Sequence, residues 1–250
     1  MPSASQGVYV VLPAFNEAAS LGAVLSALDQ AGRESGNFLS IIVVDDGSSD
    51  ATGSVARSHA SIGPLTVISH PGNLGLGAAI RSGLLSAVDL AADRDIVVTM
   101  DADGTHAPTT IAQMVEKING GDDVVVASRY RPGASVVGVP PHRRFLSYAG
   151  SALFRVVFPT RGVRDFTCGY RAYRASVLKR AVSLYREEFI NEEGFQCMVD
   201  ILLKLRRMNL KFGEVPLILR YDRKKGKSKM KVFRTILRTL GLIARRRIGL

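Results

Sequence analysis

Between residues 8 and 127 the chain alternates short apolar runs with longer segments of helical period, and this alternation narrows the fold more than any other feature. Val8–Leu12, Ile41–Asp45, Leu65–Ser69, Ile96–Met100 and Asp123–Ala127 are short and mostly rich in β-branched residues, which predicts strands. Between them, Glu17–Gln30 places Leu21, Val24, Leu25 and Leu28 on one helical face. Ala51–His59, with Asp50 as its N-cap, Gly77–Ala92 and Pro108–Ile118 read as further helices. Near-continuous apolar strands separated by helices are the mark of βαβ units. They predict an α/β fold with a mostly parallel sheet covered on both faces.

Beyond Ala127 the pattern loosens. Arg131–Pro141 reads as a Gly/Pro-rich loop, Arg143–Phe158 as an amphipathic helix, Tyr170–Tyr173 as a strand and Gly194–Met208 as a helix. Lys211–Tyr221 reads as a strand that Pro216 confines to an edge or bends. A basic loop, Asp222–Lys229, leads to a final helix, Met230–Arg247. Two units are expected: a main domain over residues 1–229 and a basic amphipathic helix over residues 230–250.

The net charge of +11 is lopsided. Residues 1–203 carry 17 Lys and Arg against 20 Asp and Glu, whereas residues 204–250 carry 16 against two. The final helix puts Phe233, Ile236, Leu237, Leu240, Ile243 and Ala244 on one face and Lys231, Arg234, Arg238 and Arg245 on the other. Such a helix suits an anionic membrane surface. A helix packed on the domain, or one docked on a membrane-spanning partner subunit, is the alternative. Nucleic acid is not expected, because the basic tail has few aromatic residues to stack on bases. The N-terminus lacks the pattern of a signal peptide, and no run of about 18 apolar residues is present to span a bilayer. Cys168 and Cys197 have no metal-ligand spacing and are expected to be reduced thiols. The expected location is cytoplasmic, peripheral on a membrane.

Three acidic loops follow three strand ends. Asp101-Ala102-Asp103 follows the fourth strand, where two carboxylates one residue apart can hold a hard divalent cation. Asp45-Asp46 follows the second, placed to accept from ribose or base. Pro13, Phe15 and Glu17 follow the first, with Phe15 able to stack on a base. Each alone is equally compatible with turn and capping chemistry. Together, at one edge of a parallel sheet, they point to a shared nucleotide site. Gly75-Leu76-Gly77 is not a dinucleotide fingerprint, because Ile80 stands where a third glycine belongs.

With these motifs in place, the chain resembles the family 2 glycosyltransferases of GT-A fold, and among them the dolichol- or polyprenol-phosphate mannose synthases. The stretches that carry the likeness are VVLPAFNEAASL (10–21), IIVVDDGSSDAT (41–52), NLGLGAAIRSGL (73–84), MDADGTHAP (100–108), VVVASRYRPG (124–133), RDFTCGYRAYR (164–174) and DRKKGKSK (222–229). The resemblance implies that Pro13, Phe15, Glu17, Asp45, Asp46 and Ala102 line the donor, GDP-mannose being favoured. It implies that Asp101 and Asp103 hold Mg²⁺ or Mn²⁺ on the donor pyrophosphate. Relatives often carry Gln two residues beyond the second Asp. Here Thr105 stands there, followed by His106, so a third ligand would come from water or from one of these two residues. Arg129 would lie between donor and acceptor phosphates, with Asp103 and Arg129 as the catalytic pair. Arg143, Ser147, Arg223 and Lys229 would meet the phosphate of a polyprenyl acceptor, and Arg223 the donor as well. Asp165 would be structural or sugar-facing.

A phosphate acceptor has a second pKa of about 6 and is already largely dianionic near neutral pH, so inverting transfer onto it needs cations rather than a base. The rival expectation is a UDP-sugar donor, a hydroxyl acceptor or both; a hydroxyl acceptor would need a general base, for which Glu192 and Glu193 are the candidates. Their alternative roles are sugar recognition or charge at a helix start.

Overall fold

The computed structural model describes residues 6–59, 64–223, 238 and 241–247, apart from the side chains of Arg143 and Arg223. The expected helix 230–247 therefore falls mostly outside the described residues, as does Lys229.

The expected alternation is present. The strands are β1 (Gly7–Ala14), β2 (Phe38–Asp45), β3 (Leu65–Ser69), β4 (Ile96–Thr99) and β5 (Val124–Ser128). The helices between them are α1 (Ala18–Ser35), α2 (Thr52–Ser58), α3 (Leu76–Leu90) and α4 (Thr110–Asn119). β4 and β5 are buried along their whole length, as strands covered on both faces must be. The second half adds β6 (Ser135–Val137), α5 (Pro141–Val157), β7 (Arg171–Arg174), α6 (Ala175–Tyr185), α7 (Gln196–Arg206), β8 (Phe212–Pro216) and β9 (Ile218–Arg220).

Among the described residues the main sheet has the order β3-β2-β1-β4-β7-β5-β8. β1 runs parallel to β2 and β4, β2 to β3, and β5 to β8. β7 alone is reversed, antiparallel to both β4 and β5. Because β7 reverses twice, β4 and β5 point the same way. The carboxyl ends of β1, β2, β4 and β5 therefore lie along one edge, where ligands of open α/β sheets bind.

Three details depart from the sequence reading. The segment 211–221 is two strands in different sheets: β8 ends at Pro216, and β9 pairs with β6, which the sequence reading took as loop. Pro216 does bend the chain as expected. α6 follows β7 without a residue between, so no turn signal announced it.

α3 seats unusually close to the sheet. A Cβ on Gly83 would lie 2.3 Å from Val11 Cγ1 and 3.1 Å from Val44 Cγ2. Only glycine lets the helix settle there, and this contact places the start of α3 beside the ends of β1 and β2.

Candidate active site

The loops after β1 and β2 are latched together. Asn16 takes a left-handed φ of 51°, which Asn tolerates better than most residues. Its Oδ1 accepts from Ser49 N at 2.8 Å, and its own N–H donates to Ser48 Oγ at 2.9 Å. The next amide, Glu17 N, donates to Thr52 Oγ1 at 2.8 Å. Half-buried Phe15 and Glu17 are thereby carried beside Asp45. Asp45 Oδ1 caps its own turn through Ser48 N at 3.0 Å, and a Cβ on Gly53 would meet Oδ2 at 2.5 Å. Asp46 behaves differently. It is buried, and its two oxygens accept from Leu74 N at 2.9 Å, Gly75 N at 2.8 Å and His70 Nδ1 at 2.7 Å. The Asn16 latch went unread in the sequence, where Asn-Glu looked like an ordinary loop before a helix.

At the end of β4 the acid pair divides its exposure. The Asp101 side chain is 43% exposed. Asp103 is buried, and its Oδ1 accepts from Thr105 N at 3.1 Å and Thr105 Oγ1 at 2.7 Å. Thr105, at the position where relatives often have Gln, thus orients the second aspartate. His106 is buried and stacks on Tyr170 with ring centroids 4.9 Å apart. Its Nδ1 accepts from Asp101 N at 3.3 Å, and its Nε2 lies 3.9 Å from Asp101 Oδ2. Among the described residues no three His, Cys, Asp or Glu side chains converge on a metal position. Two carboxylates at a solvent-open strand end fit an Mg²⁺ or Mn²⁺ ion that takes its remaining ligands from phosphate and water. The chain from β9 sits over this edge, with Arg220 N donating to Thr105 O at 2.8 Å.

At the end of β5, Arg129 is built into a buried ion pair. Its Nε and Nη2 donate to the two oxygens of Asp165 at 2.7 and 2.6 Å, and its backbone N–H donates to Oδ2 at 3.0 Å. Nη2 also reaches Thr167 Oγ1 at 2.6 Å. Asp165 is fully buried, and its Oδ1 takes Thr167 N at 3.2 Å and Cys168 N at 3.1 Å. Burial opposes the Asp165 charge, but attraction to Arg129 and the hydrogen bonds outweigh it, so the carboxyl titrates below the usual range. Burial likewise works against the Arg129 charge, and Asp165 overcomes it, holding the guanidinium firmly protonated. Beneath them, Glu214 of β8 accepts from Arg164 N at 2.6 Å and Asp165 N at 2.8 Å, while burial raises its carboxyl above the usual range. Of the two roles open to Asp165, the geometry shows the structural one.

Tyr130, directly after Arg129, meets Ser147 of α5 through a hydroxyl contact of 3.2 Å. Ser147 therefore faces the Arg129 end of the site. Both cysteines are free and buried, and burial, reinforced by nearby Asp165, pushes the Cys168 thiol up to about 12. Glu192 and Glu193 lie in the loop before α7. A Cβ on Gly77 would touch the Glu192 carbonyl at 2.1 Å, so this loop rests on the start of α3. Their carboxylates pair with Arg245 and, at 3.0 Å, with Arg238. Arg246 binds Asp200 at 2.6 Å, and Leu242 is fully buried. The described part of the basic C-terminal segment is therefore packed on the domain.

Asp165→Asn should remove roughly 3–5 kcal/mol at pH 7, as breaking one side of a buried pair does. The Asp165 pKa is depressed on folding, so its contribution is intact above the unfolded value of about 3.9 and is lost as pH falls through the lower folded value. Urea unfolding at pH 7 and pH 3 should show the variant nearer to wild type at the lower pH. An equal gap at both would exclude an ionised Asp165 as the stabilising group.

The profile of "Glycosyl transferase family 2" matches residues 9–181. Over 224 residues the chain is 35% identical to an undecaprenyl-phosphate mannosyltransferase of Micrococcus luteus, covering 89% of this chain and 87% of that protein. It is 32% identical over 228 residues to a polyprenol monophosphomannose synthase of Mycolicibacterium smegmatis, covering 90% and 82%. The fold is similar to that of a glucosyl-3-phosphoglycerate synthase from Mycobacterium tuberculosis, crystallised with Mn²⁺, uridine diphosphate and glucosyl-3-phosphoglycerate. That likeness has a TM-score of 0.68 at 22% identity and covers 99% of this chain and 81% of the other. With its acid-lined strand edge and a family match over more than half its length, the chain belongs to glycosyl transferase family 2.

Proposed function

We propose that this glycosyltransferase moves a hexose, mannose from GDP-mannose in the first instance, onto the phosphate of a polyprenyl lipid with inversion. The observation that carries the reading is the fixed cation at the end of β5. Asp165 and Thr167 hold Arg129 by Nε and Nη2, in line with the phosphate-binding role proposed for it. Like unit charges 4 Å apart repel by about 4 kcal/mol at an effective dielectric of 20. Bringing an anionic acceptor to an anionic donor therefore demands such a group, and it demands no base, because the acceptor oxygen already carries charge. The two candidate bases, Glu192 and Glu193, are instead engaged by arginines. The relatives named for undecaprenyl-phosphate and polyprenol acceptors support the same choice.

In this reading Pro13, Phe15, Glu17 and Asp45 receive the nucleoside, and Asp101 and Asp103 hold Mg²⁺ or Mn²⁺ against the donor pyrophosphate, with Ala102 between them. The bound cation would stabilise the diphosphate leaving group. Arg129, Arg143, Ser147, Arg223 and Lys229 receive the acceptor phosphate.

The membrane face belongs to α5. No helix among the described residues is long and apolar enough to cross a bilayer. Yet Phe145 is 69%, Tyr148 55% and Val156 81% exposed, on one side of α5, while Ser151 and Phe154 are buried on the other. Exposed Arg144 beside that stripe suits anionic headgroups. Ser147 of the same helix then meets a phosphate at headgroup depth.

Wild-type protein with Mn²⁺ should be stabilised in a thermal-shift screen by GDP-mannose more than by UDP-glucose. Asp103→Ala should abolish that metal-dependent gain; undiminished donor binding in the variant would remove the metal assignment. Phe145→Glu and Val156→Glu should each cut co-sedimentation with anionic liposomes about tenfold or more, as expected for withdrawing a side chain worth roughly 1.5–3 kcal/mol from lipid. They should leave donor binding intact. Unchanged sedimentation would move the membrane contact elsewhere.

A further inference from the structure

Asp46, His70 and Ser82 form a hydrogen-bonded chain that lies outside the reacting groups. His70 Nδ1 is 2.7 Å from Asp46 Oδ1, and His70 Nε2 is 2.9 Å from Ser82 Oγ. A carboxylate only accepts, so Nδ1 carries the proton, and in the neutral ring Nε2 accepts from the Ser82 hydroxyl. The order matches that of a nucleophilic triad, but the setting does not. Ser82 lies in the middle of α3, where the backbone amides are committed to the helix and none is left to stabilise an oxyanion. The Asp46 carboxylate also accepts the amides of Leu74 and Gly75 at 2.9 and 2.8 Å. The chain is therefore a brace.

What it braces is specific. A Cβ on Gly47 would lie 2.2 Å from the carbonyl carbon of Gly72, so the loops after β2 and β3 touch backbone to backbone. Gly47 is next to Asp46 and two residues from Asp45. The neighbouring Ser48 binds both Asp45 Oδ1 and Asn16 N, at 3.0 and 2.9 Å. His70 N–H donates to Asp45 O at 2.9 Å. Fixing His70 therefore fixes, in sequence, the 72–75 turn, the Gly47 turn, and the orientation of Asp45 and the loop carrying Phe15.

We infer that His70, held between Asp46 and Ser82, is a positioning residue that sets affinity for the donor nucleotide, and that Asp46 acts through this brace without touching the donor. The inference deepens the proposed function and rests on it for the identity of the ligand. It assigns the two adjacent aspartates different work: Asp45 faces the nucleoside, and Asp46 shapes the cradle.

The test pairs binding with hydrogen exchange. In His70→Ala, GDP-mannose and GDP with Mn²⁺ should bind about tenfold more weakly at 15 °C, with KM raised and kcat at saturating donor within about twofold. The amides of Leu74 and Gly75 should exchange faster. His70→Asn retains an N–H where Nδ1–H stood and should recover most of the affinity; Ser82→Ala should lose less than His70→Ala. A variant that melts earlier yet binds donor as wild type does, with Leu74 and Gly75 still protected, would overturn the inference. If wild type binds no sugar nucleotide, the proposed function falls by itself, and the exchange arm still judges the brace: unchanged protection in His70→Ala rejects it, and lost protection upholds it.

Discussion

The buried carboxylate of Asp165 is the node on which the β5 end of the sheet edge depends. It gathers three hydrogen bonds from Arg129 and two from the amides of Thr167 and Cys168. A lone carboxylate at full burial would be costly, and so would the guanidinium without it. Each makes the other tenable. The consequence is geometric as much as energetic. The pair ties the end of β5 to the segment that turns into β7, the reversed strand that joins β5 to β4. The same bonds that orient the arginine therefore hold the end of β5 in place relative to the acid-bearing end of β4.

The loops at the ends of β1, β2 and β3 are organised on another principle. They are joined by short polar side chains: Asn16 to Ser49, Glu17 to Thr52, and Asp46 to the 70–75 turn. Backbone contacts at Gly47 and Gly77 allow the loops to touch each other and the 192–193 segment. A flexible strand edge would have to be ordered by the ligand at the expense of affinity. Here the protein supplies that order in advance. The described basic C-terminal residues join the same framework, since their arginines hold Glu192, Glu193 and Asp200.

Much of this was legible in the sequence, and the illegible part has physical reasons. Parallel strands covered on both faces leave continuous apolar runs, so β1 to β5 and the acids at their ends could be read directly. The reversal of β7 could not, because a strand has the same period in either direction. β6 and β9 have three residues each, too few to show a period. Asp101 and Asp103 stood out because two carboxylates one residue apart suit a hard divalent cation. The brace was not, because His70 stands 24 residues from Asp46, and nothing local in either segment points to the other. Asp165 was seen without its partner for the same reason, being 36 residues from Arg129. The exposed stripe of α5 lies in a helix that the sequence did mark as amphipathic.

The central claim is that the acceptor nucleophile is a phosphate oxygen received by fixed cations. Transfer of radiolabelled mannose from GDP-mannose, in Mn²⁺, to a polyprenyl phosphate and to the corresponding free polyprenol tests it most directly. The account predicts a labelled lipid from the phosphate alone, with a rate that does not depend on Glu192 or Glu193. Equal or faster labelling of the free alcohol, abolished by Glu192→Gln or Glu193→Gln, would contradict it.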